Sequence, residues 1–439
     1  MNEKSKGPIT YELNDKPPLK HLLPLSIQHV LLFLASTIAV PLIIGSAIGF
    51  EAGDISILVQ CGIFVAGVGT MVQAFGIGPV GNRLPIILGQ TFTFVTPCIA
   101  ISLAYGFDAF VGASLICGLL IAIFGAFCIK FIKKIFPPIV MGCVIMVIGL
   151  ALVNVAVDYC AGGSGAPDYG SWQNYLLAAI TLIIVILFNT FGKGFIKGAS
   201  VLLAMVIGFI IAMCMGMVDF GAVSEAAVFS LPKPLHFGIS FKLAPIIIVG
   251  ILYLVNTVEF IGDTSTVALV AANREVKEEE LSRGIVCDGL ASAFAAIFNV
   301  IPNVSYSGNI GLIGLTGVKS RYIVGTAGIL ITALGFIPKL STLLSLIPSP
   351  VIGGATLVIF GIIATSGLTI LMRAKPTERD KLIIAVSLAI GLGFNFTPGA
   401  LDRFPYFVST LVNGIPGTAF TGIILNLILP QDKAKTAEE

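Results

Sequence analysis

The sequence predicts an all-α integral membrane protein of fourteen transmembrane segments, arranged as two inverted 7-segment repeats. Three observations carry this. The composition is 56% hydrophobic and only 11% charged, with a mean hydropathy of +1.02, whereas a soluble domain carries about 25% charged residues. Apolar runs long enough to cross about 30 Å of hydrocarbon recur from Leu23 almost to Leu429. Lysine and arginine alternate between connections, as retention of positive charge in the cytoplasm requires.

Residues 1–22 carry Glu3, Lys4, Lys6, Glu12, Asp15, Lys16 and Lys20 and are expected to form a cytoplasmic tail, not a secretory signal. Polar breaks then delimit segments at 23–45, 55–77, 84–104 and 107–129, followed by 136–157, 174–191 and 198–217. A polar stretch from Val218 to Lys242 divides the chain. The second half gives 243–271, 284–300, 302–317 and 322–341, then 344–371, 380–397 and 407–429, before a tail at 430–439. With the N-terminus inside, every Lys and Arg except Lys233, Lys242, Lys339 and Arg403 falls on a cytoplasmic segment. Both termini are therefore expected in the cytoplasm. An odd number of segments per half inverts one half against the other, as in many secondary transporters. Phe136-Pro-Pro-Ile-Val-Met-Gly142 and Pro348-Ser-Pro-Val-Ile-Gly-Gly354 repeat one Pro and Gly helix opening at corresponding places in the fifth and twelfth segments.

Segments three and ten break the pattern. Leu84-Pro-Ile-Ile-Leu-Gly-Gln-Thr-Phe-Thr-Phe-Val-Thr-Pro97 and Ile301-Pro-Asn-Val-Ser-Tyr-Ser-Gly-Asn-Ile-Gly311 put Pro, Gly and small polar residues where a membrane helix is apolar. Irregular backbone at that depth is tolerated only where protein or a cavity covers it, and a matching pair in two halves points to the binding site. Half-helices beginning near Gln90-Thr91 and Gly308-Asn309 would aim free N–H groups at whatever binds. The eighth segment adds Glu259 and Asp263, four residues apart and so on one helical face. Carboxylates inside an apolar segment usually face a cavity or partner on a substrate or proton path, although a helix end in water would also accommodate Asp263.

Other classes find little support. The cysteines show no C-x-x-C spacing, so neither a metal nor another cofactor is expected. A net charge of +2 lacks the concentrated basic patch of a nucleic-acid partner. His29 is the lone histidine in a predicted segment, and no Ser/His/Asp set can be assembled around it, so an enzyme is not expected.

From 23 to 429 the sequence resembles the nucleobase–ascorbate transporter family, the xanthine/uracil permeases. The resemblance rests on Gly308-Asn309-Ile310-Gly311-Leu312-Ile313-Gly314-Leu315-Thr316-Gly317 as the family signature. It is supported by Gln28-His29, Gly89-Gln-Thr-Phe-Thr-Phe94, Glu259-x-x-Gly262-Asp263 and Asp288. It implies short strands in segments three and ten, and a core domain of segments 1–4 (23–129) and 8–11 (243–341). A gate domain of segments 5–7 (136–217) and 12–14 (344–429), elevator-like motion of core against gate, and a homodimer are also implied.

The expected substrate-binding residues are Glu259, Asn309, Gly308, Gln90, Thr93 and Phe92, with Glu259 accepting hydrogen bonds from nucleobase ring N–H groups. Proton coupling falls to Asp288, Glu259, Asp263 and His29, where burial would let one of the acids take up a proton and release it inside. Gly308 departs from the Gln of purine-type members and the Glu of uracil-type ones. Asp263, standing where histidine would follow Glu259 by four, points to a purine such as xanthine; uracil or another pyrimidine is the alternative. An anion transporter of the related seven-plus-seven fold is a further alternative, disfavoured because two acids at the site repel anions.

Overall fold

A computed structural model describes residues 11–125, 127, 137–163, 165–193, 195–306, 308–397 and 399–430. Most of the two expected tails, together with Cys128 and Phe136, lies outside the described residues. The chain enters α1, Leu19–Ala47, and returns through α2, Ala52–Phe75. It then leaves helical geometry for a strand, β1, Leu88–Gln90, and one 3-10 turn, Phe92–Phe94, leads into α3, Val95–Tyr105. Gly106, at φ 94°, makes the sharp break that a Cβ would strain. Next come α4, Phe107–Leu120, which runs on through a π turn to Gly125, then α5, Pro138–Cys160, α6, Trp172–Phe191, and α7, Ser200–Cys214.

After the polar connection follow α8, Leu243–Ala272, α9, Glu278–Ile297, and a second strand, β2, Asn303–Ser305. The chain continues with α10, Gly308–Thr316, α11, Arg321–Leu334, α12, Ser349–Arg373, α13, Glu378–Asn395, and α14, Gly414–Ile428. Proline occupies the first turn of α5 and α12, where its missing N–H costs nothing. At α13 Thr377 and Asp380 cap each other's backbone N–H, a reciprocal box that sets the helix start.

Among the described residues seven helices (α1, α2, α4 with its π turn, α5, α6, α8 and α12) are long and apolar enough to cross a membrane. An eighth is reached if α11 is joined to the short helix Pro338–Ser345, which turns from it by 85°. The expected eleventh segment is thus bent, at Gly335 and Pro338. The fourteenth is interrupted at Asn413, whose extended backbone parts a short helix, Tyr406–Val412, from α14.

Helices cross closely where glycine removes the side chain. A Cβ on Gly149 of α5 would strike the Phe360 carbonyl and Ala364 nitrogen of α12. Similar approaches join α2 to α11 at Gly67 and Gly328, and α4 to α9 at Gly118 and Gly289. In lipid, close packing of this kind replaces the hydrophobic gain that joins helices in water.

Residues 11–16 form a strap over the end of α2 and the start of α11. Lys319 N donates to Tyr11 O at 2.9 Å, Arg321 N to Leu13 O at 3.0 Å, and Ser320 Oγ to Asp15 O at 2.7 Å. The Arg321 guanidinium donates to Asn14 Oδ1 at 2.9 Å and to the Ala74 and Phe75 carbonyls at 3.3 and 3.2 Å. It thereby satisfies carbonyls that the end of α2 leaves unpaired. Arg321→Ala is expected to destabilise the detergent-solubilised protein by about 2 kcal/mol, and Arg321→Lys to recover only part of this, since an ammonium lacks the planar fork. A melting temperature unchanged in Arg321→Ala would show that the strap is held by other means.

Candidate functional site

The two strands pair antiparallel, with Leu88 opposite Ser305, Gly89 opposite Val304 and Gln90 opposite Asn303. So short a ladder leaves peptide groups on the outer edges, and buried backbone must be bonded somewhere. The flanking helices supply partners for Leu88 and Asn303. On α2, Thr70 Oγ1 accepts from Leu88 N at 3.0 Å and donates to Leu88 O at 3.2 Å. On α9, Ser292 Oγ accepts from Asn303 N at 3.2 Å and donates to Asn303 O at 3.1 Å. A Cβ at Gly89 would collide with the Phe33 ring of α1, so glycine there lets α1 lie against the crossing.

Each strand leads into a helix. In the turn after β1, Thr91 Oγ1 accepts from Thr93 N at 3.3 Å, and the hydroxyls of the two threonines are 3.1 Å apart. Phe92 is buried and meets Phe360 of α12 edge to face, with ring centroids 5.1 Å apart at 85°. After β2, α10 opens at Gly308, which offers no side chain. Asn309 follows and is buried. Its Nδ2 donates to Pro85 O at 2.8 Å, which turns Oδ1 onto Nδ1 of buried His29 at 2.6 Å. The imidazole therefore carries its proton on Nδ1, and this pair joins α1, α10 and the approach to β1.

The acids line one face of α8. Asn256, Glu259 and Asp263 follow at spacings of three and four, which stacks them along the helix. Asn256 Nδ2 donates to Asp288 Oδ2 of α9 at 3.0 Å, and Ser305 Oγ of β2 donates to Asp263 Oδ2 at 2.7 Å. Glu259 stands between these two anchored positions, half-buried, and its Oε2 is buried with no partner among the described residues. Asp288 Oδ1 is in the same condition. Among the described residues no lysine or arginine pairs with Glu259 or Asp288.

The structure therefore places Glu259, Asp263 and Asp288 on one polar stripe linking α8, α9 and β2, and His29 with Asn309 in one bonded pair. Gln90 is held on the α2 side of the crossing, its Oε1 buried with no partner among the described residues. Its Nε2 donates to Gly62 O on α2 at 2.9 Å, beside a cavity of about 10 Å³ lined by Pro41, Ile44, Leu58 and Phe107. A larger cavity of about 440 Å³ lies one turn beyond Thr93, between Thr96 and Pro97 of α3 and Asn395, Asp402, Phe404 and Asn413 around the α13–α14 connection. Sequence reasoning overlooked Asn256, Ser305, Thr70 and Ser292. Asn256 had a signal, three residues before Glu259 on the same face; the hydroxyls had none, because their role depends on which strand each helix abuts.

Asn309→Ala would strand both the Pro85 carbonyl and the His29 N–H, each costing about 1–3 kcal/mol when buried unpaired. In a double-mutant cycle with His29→Ala the paired change should cost about 1 kcal/mol less than the sum of the single ones. Additive losses in thermal unfolding would mean that the two side chains are not coupled.

Residues 20–399 match the profile of the xanthine/uracil permeases, described as a permease family. A xanthine permease of Bacillus subtilis is 38% identical over 421 residues, covering 95% of this chain and 96% of its own. The uric acid permease PucJ of the same organism is 37% identical over 425 residues, covering 94% of each. Among solved structures, the transmembrane domain of the cyanobacterium bicarbonate transporter BicA superposes with a TM-score of 0.57, over 95% of this chain and 100% of that one. At 17% identity this likeness concerns the fold alone. A match that runs through nearly every helix and both strands is a match of the whole architecture, and the chain is accordingly a multi-pass membrane transporter, not an enzyme, and a member of the xanthine/uracil permease family.

Proposed function

We propose that this permease takes up a purine base, xanthine or a close chemical relative, together with a proton across the cytoplasmic membrane. The observation that carries this is Glu259, whose Oε2 is buried without a partner among the described residues, between two anchored neighbours. A buried acceptor left unpaired costs about 1–3 kcal/mol, and more when charged. A ring N–H of a planar heterocycle would supply the missing donor, and a carboxylate can accept two adjacent ones. Relatives named as xanthine and uric acid permeases make purines the substrate class to expect.

The remaining roles follow from placement. Asp288, with one oxygen held by Asn256 and the other open, is the second group to hold the proton. Neutralising one of these acids removes an uncompensated charge from an apolar setting. Asp263 acts through Ser305 and couples α8 to β2, while His29 supports α10 through Asn309. Phe92, Thr93, Gly308 and Asn309 border the base, and Gln90 supports the crossing from the α2 side.

On the same proposal α1–α14 are fourteen passes in two inverted repeats, with both termini in the cytoplasm. Helix pairing supports this. Exchanging each helix for its counterpart seven further along turns the α2–α11 contact into the α9–α4 contact, and returns α5–α12 and β1–β2 to themselves. Segments 1–4 and 8–11 would then move as one core against a gate of segments 5–7 and 12–14, in a homodimer.

Uptake of radiolabelled xanthine, uric acid, guanine, hypoxanthine and uracil into cells lacking their own permeases, with and without a protonophore, tests the proposal. A purine should accumulate, the protonophore should collapse its gradient, and Glu259→Gln should lose uptake while reaching the membrane normally. Accumulation of uracil alone would overturn the substrate, and accumulation indifferent to the protonophore would overturn the coupling.

A further inference from the structure

Between the strand crossing and the side that the proposed topology assigns to the cytoplasm, four buried side chains keep polar atoms unpaired among the described residues. These atoms are both ends of the Gln73 amide, Asn82 Nδ2, Thr264 Oγ1 and Asp288 Oδ1. The four side chains are 0%, 3%, 0% and 1% exposed. Asp288 alone among them has a part in the function proposed above.

Helix packing brings them together. α2 and α9 run antiparallel: Phe64 meets Phe294 and Phe298, and further along a Cβ on Gly69 would lie 3.3 Å from that of Ala291. One more turn along α2 is Gln73, and one turn back along α9 are Cys287 and Asp288, so Gln73 stands at the level of Asp288. The connection that follows α2 then turns beneath both helices. Arg83 N donates to Gln73 O at 3.0 Å, and Gly81 N to Arg283 O at 3.1 Å. Asn82, between them, lies against Gly284, where a Cβ would come within 3.2 Å of the Asn82 Cβ and 2.7 Å of the Phe260 ring. Gly284 precedes Asp288 by one turn of α9, and Thr264 follows Phe260 by one turn of α8. Arg83 is already exposed. Unpaired polar groups thus succeed one another from Asp288 to within one residue of solvent.

Buried polar groups that lack a protein partner are ordinarily bonded to ordered water, and polar residues are kept inside a membrane where they serve a path. We propose that Gln73, Asn82 and Thr264 line a hydrated path by which the proton on Asp288 leaves for the cytoplasm. The inference rests on the proton-symport reading above. The O–H bond of the Asp288 carboxyl breaks, its proton passes to a water held by Gln73, and each water hands one on past Asn82 and Thr264. Bulk water takes up the last proton. Asp288 remains as a carboxylate, ready to accept the next. The amides and the hydroxyl keep their own protons and act as positioning residues that hold the waters in line.

The test separates proton release from carriage of the base, in proteoliposomes and with the base that wild type carries. Net uptake driven by an inward proton gradient requires the proton to leave Asp288 inside. Exchange of external labelled base for internal unlabelled base lets the carrier return with that proton still bound. Gln73→Leu and Thr264→Val remove groups unpaired among the described residues, so melting temperature should be at or above wild type. Net uptake is expected to fall about tenfold in each, the effect of one hydrogen bond lost from the relay, with exchange near wild type. Thr264→Ser, which keeps a hydroxyl, should retain net uptake. Net uptake unchanged in either Gln73→Leu or Thr264→Val overturns the inference. A joint fall of net uptake and exchange also overturns it, making these side chains supports of the base site. Wild type that fails to accumulate base on a proton gradient overturns the coupling reading, and this inference with it.

Discussion

Backbone that leaves a helix inside a bilayer has to find all its hydrogen bonds within the protein, and β1 and β2 are six residues under that constraint. Pairing with each other satisfies their inner edges. On the outer edges Thr70 and Ser292 satisfy Leu88 and Asn303, and a hydroxyl is suited to the task because it can accept from a residue's N–H and donate to the same residue's C=O. The consequence is mechanical as well as energetic. α2 and α9 are pinned to the crossing, and α3 and α10 begin from it, so four helices take their positions from two short strands.

The polar stripe of α8 depends on that arrangement. Ser305 reaches Asp263 because β2 runs past the helix, and Asn256 reaches Asp288 because α9 is held to the other strand edge by Ser292. The neighbours on either side of Glu259 are thereby committed to protein partners, while its own Oε2 is not. Unpaired buried acceptors are rare in folded proteins and call for an explanation. Among the described residues the stripe thus leaves two buried carboxylate oxygens open, Glu259 Oε2 and Asp288 Oδ1.

Much of this was legible in the sequence, for identifiable reasons. Apolar runs report on the membrane directly, and Pro, Gly and small polar residues at 84–97 and 301–311 marked the two interrupted segments. The spacing of Glu259 and Asp263 gave their shared face. What stayed hidden was direction. Gln90 reads as a site residue by its neighbours, yet β1 has a face turned to α2, and there the amide meets the Gly62 carbonyl. The bend at Gly335 and Pro338 and the break at Asn413 were also present as residues, but the apolar character of segments eleven and fourteen spans such interruptions without registering them.

Gly308 and Gln90 together change where recognition has to reside. With glycine opening α10, that helix offers the site peptide groups and no side chain, and with its nitrogen held by α2, Gln90 does not supply the missing donor. Asn309 cannot compensate, since both ends of its amide are taken by Pro85 and His29. The unpaired buried side-chain oxygens around the crossing, Glu259 Oε2, Asp288 Oδ1 and Gln90 Oε1 among them, distinguish one planar heterocycle from another only by its donors. On the proposed function, discrimination among bases must then draw on shape, on what fits beside the turn at Phe92, which Phe360 of α12 meets edge to face. A rigid wall discriminates by size more sharply than a flexible one, because overpacking a well-packed interior is costly. Through Phe360, whose carbonyl abuts Gly149, the glycines that lock α5 to α12 bear on that shape, although none of them is placed in the site.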